Sequence, residues 1–252
     1  MRRTAVLNIV GLTEGLLGPH TPHLKAFGSA GQQAVIKPAF PAVTCTAQSS
    51  YVTGRTPATH GIVGNGWYNR ELAEVQFWKQ SNHLVNGPKI WDALRGRNPG
   101  FTCAKLFWWY NMYSTADYSI TPRPMYPADG RKVFDIYTWP FKIRPDIKAE
   151  LGEFPFPTFW GPAAGRHTPQ GPPDAVSKWI AESAKWIDKR YEPTLSLVYL
   201  PHLDYNLQRL GPNHAEIPQD LRAIDAIAGD LISFFTARGI QVMVLSEYGS
   251  PL

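Results

Sequence analysis

Short, nearly unbroken apolar runs are the feature that most constrains how this chain can fold. Residues 4–12 read TAVLNIVGL, residues 195–200 read LSLVYL and residues 240–246 read IQVMVLS. Runs of this kind, without polar alternation, are typical of parallel strands buried on both faces. FTCAKLF at 101–107 predicts another such strand, and QAVIKP at 33–38 predicts a shorter one.

The segments between these runs predict helices. Apolar residues recur at helical spacing from Asp174 to Ile187 and from Leu221 to Phe235. Shorter helices are predicted at 22–27, within 41–54 and at 88–97, where proline, threonine and glycine supply starts and stops. Strand and helix therefore alternate, which predicts an α/β fold with a mostly parallel central sheet and helices on both faces.

The chain length and composition favour one domain. A chain of 252 residues that is 44% hydrophobic can bury a substantial core. We predict a single α/β domain over 1–252, with residues 107–171 as a cap or loop-rich insertion, because the alternation is lost there. Aromatic residues, prolines and glycines crowd this stretch. Its rings could stack on a base or sugar, but packing in a satellite core is the more common role.

Charge and cysteine content limit the partners and the compartment. The formal charge is +5, but the basic residues are scattered, which disfavours a nucleic-acid duplex and suits a small anionic substrate. No stretch reaches the roughly 18 apolar residues of a membrane span. The start does not read as a signal peptide, and Cys45 and Cys103 are the only cysteines. We therefore expect no disulfide framework, no membrane contact and a cytoplasmic location. The oligomeric state stays open.

Polar side chains follow several of the predicted strands. In open α/β sheets, ligands bind at the carboxyl ends of the strands, so these residues are candidates for chemistry. Carboxylates that converge there are costly to bury unless a cation or a shared proton compensates, and a divalent metal ion is the simplest explanation. The residues at these positions are Thr13, Glu14, Thr44, His202, Asp204, Glu247 and Tyr248.

Four segments resemble a known family. Residues 40–69, FPAVTCTAQSSYVTGRTPATHGIVGNGWYN, are similar to the nucleophile segment of nucleotide pyrophosphatases/phosphodiesterases and phosphonoacetate hydrolases. HTPHL at 20–24, LPHLDYNLQRLGP at 200–212 and VLSEYG at 244–249 match further segments in order. The resemblance is to the type I phosphodiesterase/nucleotide pyrophosphatase family of the alkaline phosphatase superfamily.

This resemblance implies an alkaline-phosphatase-like fold and a metal-dependent hydrolase. Thr44 takes the place of the nucleophile, so phosphodiester or pyrophosphate bonds would be cleaved through a phosphorylated threonine. Divalent metal ions, zinc in the family, would act on a small phosphate ester. The implied metal-ligand positions are Glu14, Thr44, Asp204, Gln208 and Glu247. The implied substrate-binding positions are Ala47, Gln48 and Asn65.

The chain departs from the family pattern at several of these positions. The family's asparagine three residues after the nucleophile is Ala47, so Gln48 or a backbone N–H would have to replace it. One histidine ligand is replaced by Gln208, and the strand-terminal Asp-His pair is replaced by Glu247 and Tyr248. An oxygen-rich donor set favours Mn²⁺, Mg²⁺ or Ca²⁺ over zinc.

Two histidines and a tyrosine are alternative ligands. His202 and His214 flank Asp204 and could replace the lost imidazoles, although each alone is more often a loop residue; Tyr248 could add an oxygen. The family pattern also continues past the segment matched by VLSEYG, which leaves a truncated product or elements supplied from elsewhere as explanations.

Two other functions and one structural interpretation stay open at this stage. The substituted ligand positions would suit a relative that binds a ligand without turnover, and Thr44 could instead carry phosphate to another acceptor in a phosphotransferase or phosphomutase. Thr44 could also be only the N-cap of the helix that follows, a common role for threonine.

Overall fold

A six-stranded sheet forms the centre of the protein in a computed structural model, which describes residues 1–159, 161–169 and 171–249. The strand order is β6-β5-β4-β7-β1-β8, and β2 and β3 form a separate antiparallel hairpin. The strands are β1 (Thr4–Ile9), β2 (Gly66–Asn69), β3 (Glu74–Phe77), β4 (Cys103–Leu106), β5 (Tyr118–Pro122), β6 (Ile136–Trp139), β7 (Leu195–Leu200) and β8 (Gln241–Leu245).

The sheet is parallel except at one edge. β4, β5, β7, β1 and β8 run in one direction, and β6 pairs antiparallel with β5. Asn8 in β1 lies opposite Tyr199 of β7 and Leu245 of β8. The carboxyl ends of these three strands therefore meet at the same edge of the sheet, and the mostly parallel α/β fold predicted from the sequence is confirmed.

Helices connect the strands and cover both faces of the sheet. The helices are α1 (Pro22–Ala30), α2 (Thr44–Thr53), α3 (Pro57–His60), α4 (Ile90–Arg97), α5 (Ile143–Leu151), α6 (Phe156–Phe159), α7 (Ala175–Tyr191), α8 (His202–Leu210) and α9 (Ile217–Ala237). In β1, Leu7 joins the large core cluster that contains the apolar faces of α7 and α9. Val6 points the opposite way and packs in a smaller cluster with Val52 of α2 and Trp91 of α4.

One strand predicted from the sequence is wrong. Residues 33–38 form no strand and are extended, exposed chain, with Val35 84% exposed. The run is short, and Pro38 lacks the backbone N–H that a ladder needs. A few apolar residues therefore do not make a strand where no neighbouring strand pairs with them.

The aromatic segment 107–171 contains regular structure. It supplies β5 and β6 at one edge of the central sheet, followed by α5 and α6. The loss of strand–helix alternation in the sequence of this segment therefore does not mean that the segment lies outside the central sheet. Many of its rings pack together, as Phe107 does against Phe154 at a centroid separation of 4.7 Å.

The structure also describes the two cysteines and the apolar content of the helices. Cys45 and Cys103 are buried free thiols. In the part of the chain that the structure describes, no helix is both long enough and apolar enough to cross a membrane.

Candidate active site

The carboxyl ends of β1, β7 and β8 meet the start of α8, and a glycine makes this approach close. Gly11 follows β1 with φ +83°, and a Cβ there would lie 2.9 Å from Leu207 Cδ1 and 3.4 Å from Asp204 Cα. Only glycine combines that backbone conformation with that distance. Asp204, in the first turn of α8, is therefore held against the end of the central strands.

Thr44 is the first residue of α2 and is 2% exposed. The N-cap position is taken by Val43, and no side chain caps the helix, so Thr44 does not act as its N-cap. Instead its hydroxyl lies 3.5 Å from the Tyr248 hydroxyl. The positive end of the helix dipole lies at this hydroxyl, which favours an anion there.

Asp204 has one engaged and one free carboxylate oxygen. Its Oδ2 accepts hydrogen bonds from Gln208 Nε2 at 2.5 Å and from the Tyr248 hydroxyl at 3.0 Å. Its Oδ1 is buried without a partner among the described residues. Burial raises the pKa of Asp204 to about 6, and the two hydrogen bonds act in the opposite direction.

Glu247 is buried more deeply and is held by two amides. Its Oε1 accepts from Asn8 Nδ2 and from Gln48 Nε2, both at 2.6 Å. Its Oε2 has no partner in the described chain. Burial raises the pKa of Glu247 to about 8, and hydrogen bonds from Gln48, Asn8 and Thr44 oppose that rise. The Thr44 hydroxyl therefore lies beside the Glu247 carboxyl group and is linked to Asp204 through the Tyr248 hydroxyl.

The residues of the implied substrate-binding set have structural partners of their own. The Ala47 N–H is donated to Val43 O, so it is engaged within the helix. Gln48 donates to Glu247 and accepts at Oε1 from the Trp109 N–H at 2.7 Å. Asn65 Oδ1 accepts the Cys45 N–H at 2.9 Å and so fixes the first turn of α2. Direct contacts of these residues with a substrate stay a prediction.

Three predicted ligands lie away from this cluster. Glu14 is exposed and borders a neighbouring cavity of about 650 Å³, which Glu247 and Tyr248 also line. His202 is buried toward α7 and α9. Burial lowers the pKa of His202 to about 4, and the charge of Asp174 opposes this shift. His214 is exposed in the turn after α8, and its Nδ1 accepts the Glu216 N–H. None of the three joins the hydrogen bonds around Thr44 in the described chain.

Two residues of the site were missed by sequence reasoning. Asn8 is fully buried in β1 and donates to Glu247, and the Trp109 backbone holds Gln48. A signal for Asn8 was present, because it is the one polar side chain between Ala5 and Gly11 in an otherwise apolar strand. A backbone N–H leaves no mark in the sequence, so the role of Trp109 required the structure.

The family model for type I phosphodiesterase/nucleotide pyrophosphatase matches residues 4–251. The chain belongs to this family. A curated relative, an uncharacterised pyrophosphatase/phosphodiesterase of Schizosaccharomyces pombe, is 24% identical over 221 residues, which are 84% of this chain and 37% of the relative. This chain thus spans little more than a third of that protein.

Solved structures with the same fold include two family-related enzymes. Phosphonoacetate hydrolase from Sinorhizobium meliloti, in complex with phosphonoformate, aligns with a TM-score of 0.65 at 16% identity over 98% of this chain and 56% of that protein. Murine ectonucleotide pyrophosphatase/phosphodiesterase 5, as an inactive variant in complex with AMP, aligns with a TM-score of 0.61 at 15% identity over 99% and 57%. At these identities the likeness shows the fold alone.

The donors around Thr44 fit one oxygen-liganded cation. Asp204 and Glu247 each keep one buried oxygen without a partner in the described residues, as a cation ligand or a proton acceptor requires. No group of three or more His, Cys, Asp or Glu side chains gathers as a metal site within 1–159, 161–169 and 171–249. Carboxylate oxygens of this kind are the donors that Mg²⁺ and Mn²⁺ accept.

Proposed function

We propose that this protein hydrolyses phosphodiester or pyrophosphate bonds in a small phosphate ester, with Thr44 as the nucleophile. The observation that carries the proposal is the position of the Thr44 hydroxyl at the start of α2, beside Glu247. It also lies 3.5 Å from the Tyr248 hydroxyl, which donates a hydrogen bond to Asp204. Membership of the family supports the reaction class.

Each residue has a distinct role in this mechanism. The helix dipole of α2 and the turn fixed by Asn65 orient the Thr44 Oγ1 toward a phosphoryl group. As the bond from Thr44 to phosphorus forms, the bond to the leaving-group oxygen breaks, and the hydroxyl proton passes to the Glu247 carboxylate. Because burial raises the pKa of Glu247 to about 8, it accepts the proton in its ionised form, and the step is favoured as pH rises toward and above 8. Water then cleaves the phosphothreonine, and Thr44 regains a proton.

Asp204 is the residue that would hold a divalent cation, through its buried Oδ1, which has no partner in the described residues. When bound, such an ion supplies positive charge to the phosphoryl oxygens and lowers the pKa of the attacking hydroxyl. Gln208 and Tyr248 would keep Asp204 oriented while its Oδ1 faces the ion. The donor set supports Mn²⁺ or Mg²⁺ as the physiological choice over the zinc of the family resemblance.

A screen of nitrophenyl phosphate monoesters and diesters, with Mn²⁺, Mg²⁺ or Zn²⁺ added after chelation, tests the proposal. Release of nitrophenol from a diester, with loss of the signal in Thr44→Ala, is the expected result. Transfer of the phosphoryl group to an added alcohol, in place of water, would instead favour a phosphotransferase.

A second candidate function is ligand binding without turnover. It is favoured by the Tyr248 hydroxyl, which donates to Asp204 and lies 3.5 Å from Thr44 where a ligand atom could otherwise approach. Binding of AMP measured by calorimetry, with no hydrolysis of any ester in the presence of each metal, would establish this function instead.

A further inference from the structure

Lys105 is a buried amine outside the site, in the centre of the sheet. It lies in β4 and is 1% exposed, and no carboxylate pairs with it among the described residues. Its Nζ donates to the carbonyl oxygens of Trp109 at 2.8 Å and Tyr110 at 2.7 Å. An apolar side chain of similar length would pack in such a strand at lower cost. The amine is therefore present for its donors.

The two carbonyls match the donors of an uncharged amine. Burial lowers the pKa of Lys105 to about 7. A neutral amine keeps two N–H groups, which equals the number of carbonyl oxygens it contacts. The Lys105 contacts are thus hydrogen bonds that persist whether or not the amine is protonated.

The backbone that Lys105 holds is strained. Phe107 and Tyr110 have φ values of +59° and +53°, in the left-handed region that bulky residues rarely occupy. Asn82 Nδ2 also donates to Tyr110 O, at 2.8 Å. We call residues 107–111 the aromatic turn. Side-chain donors from β4 and from the segment before α4 hold this turn in an otherwise unfavourable conformation.

The aromatic turn fixes the direction of one amide in the candidate site. The Trp109 N–H is donated to Gln48 Oε1 at 2.7 Å, and Gln48 Nε2 is donated to Glu247 Oε1 at 2.6 Å. The two ends of a glutamine amide have nearly the same shape, so hydrogen bonds decide which end faces which partner. The Trp109 N–H and the Glu247 carboxylate both favour the observed orientation of the amide, so loss of the Trp109 N–H removes one of its two fixed partners.

We propose that Lys105 is a positioning residue for the Glu247 carboxylate, acting through the aromatic turn and Gln48. Its effect on catalysis rests on the proposed function, but its effect on Gln48 does not. Lys105 touches neither the carboxylate nor any substrate, so its influence is carried entirely by the backbone of the turn.

Lys105→Met tests this inference, because methionine keeps the length and removes the donors. The expected results are about tenfold faster hydrogen exchange of the Trp109 amide, a changed NMR shift of the Gln48 side-chain amide, and about a tenfold loss of kcat/KM on the best nitrophenyl ester. The matched control is Lys89→Met, since Lys89 is also buried and donates to a carbonyl, Val85 O at 2.7 Å, with no contact to Gln48. It should leave all three readouts unchanged.

A double-mutant cycle decides whether Gln48 carries the effect. In a Gln48→Ala background, Lys105→Met should cause little further loss of kcat/KM, since its route is already removed. Additive losses, or an unchanged Gln48 amide signal in Lys105→Met, would overturn the proposal. Asn82→Ala weakens the same turn and should move the Gln48 signal in the same direction, which keeps the test decisive if Lys105→Met does not fold. The NMR and exchange measurements need no substrate, so they also separate this inference from failure of the proposed function.

Discussion

The two carboxyl groups beside Thr44 are held in opposite ways. Asp204 is supported by Gln208, four residues later on the same helix and itself exposed, and by the Tyr248 hydroxyl. Glu247 is supported by Asn8 and Gln48, which are buried and lie 239 and 199 residues away in the chain. One carboxylate thus has a local and solvent-accessible support, and the other has a distant and enclosed one.

This difference suits the two roles that the proposed function gives to the carboxyl groups. Enclosed amides hold Glu247 in position, which a group that exchanged a proton with Thr44 would require. Asp204 can adjust through an exposed glutamine, which suits a cation ligand that must adapt to different coordination. Four measurements test this difference between the carboxyl groups, beginning with the one expected to have the largest effect.

The largest effect is expected at the Thr44 hydroxyl. Thr44→Ala should lower kcat on a phosphodiester by at least about a thousandfold, because no other group replaces the covalent nucleophile. Steady-state assays measure this loss, and thermal unfolding checks the fold. Thr46→Ala is the control, since Thr46 is equally buried in α2 and its hydroxyl has no partner in the described residues. Activity retained in Thr44→Ala and lost in Thr46→Ala would move the nucleophile to Thr46.

The second measurement separates the carboxyl groups by pH. The pKa of Glu247 is raised from 4.5 to about 8, so the folded state keeps a proton that the unfolded state has lost. In chelator, the free energy of unfolding should therefore fall as pH rises from about 4.5 to about 8, by at most ~1.4 kcal/mol per pH unit for this group. In denaturant titrations, Glu247→Gln should show a weaker dependence of the free energy of unfolding on pH between about 4.5 and about 8.

Asp204 gives the contrasting window. Its pKa is raised from 3.8 to about 6. Asp204→Asn should therefore weaken the pH dependence of the free energy of unfolding only below about pH 6. Identical pH profiles for the two variants would mean that the carboxyl groups do not differ in burial as described.

The third measurement compares the two glutamine supports. Gln48→Ala should lower the free energy of unfolding by about 1–3 kcal/mol, because it leaves the Trp109 N–H and part of the Glu247 carboxylate unsatisfied. Gln208→Ala should cost less than about 0.5 kcal/mol, because Gln208 is exposed and Tyr248 still donates to Asp204. Equal losses in urea titrations would contradict the assignment of Glu247 as the more rigid group.

The smallest effect concerns metal choice on the Asp204 side. Gln208→His combined with Tyr248→His adds two imidazoles near Asp204 and should raise zinc affinity by about tenfold or more, about 1.4 kcal/mol, relative to Mn²⁺. Competition titrations with a chelating dye measure this change. His202→Ala serves as the control and should not alter it, since His202 is buried toward α7 and α9. Tight zinc binding by the unmodified chain that is lost in His202→Ala would overturn the oxygen-donor interpretation.

The sequence predicted the elements whose burial is encoded locally. LSLVYL and IQVMVLS became β7 and β8, and the helical spacing after Asp174 became α7, because apolar periodicity is a property of neighbouring residues. The strand predicted at 33–38 is absent for the converse reason, since a strand exists only where another strand pairs with it. The strands β5 and β6 were missed because prolines and aromatic residues masked their short apolar pattern.

The residues proposed for the site came from two signals. Strand-end positions favoured Asp204 and Glu247, whereas Thr44 depends on the family resemblance, because the strand predicted before it at 33–38 does not form. Which oxygen of each carboxylate is engaged depends on partners such as Asn8 and the Trp109 backbone, and those depend on the tertiary fold. Glu14 shows the same limit, because its position after β1 did not place its side chain in the cluster.

The support of Glu247 by distant amides also has a consequence for biosynthesis. Asn8 and Gln48 leave the ribosome 239 and 199 residues before their carboxylate partner. Contacts of such sequence separation form late in folding. Until β8 docks beside β1, the amides of Asn8 and Gln48 lack their acceptor, and the hydroxyl of Thr44 lacks the carboxylate beside it. A nascent chain that has not reached this step therefore holds Thr44 in an incomplete environment, and the candidate site forms only once β8 has paired with β1.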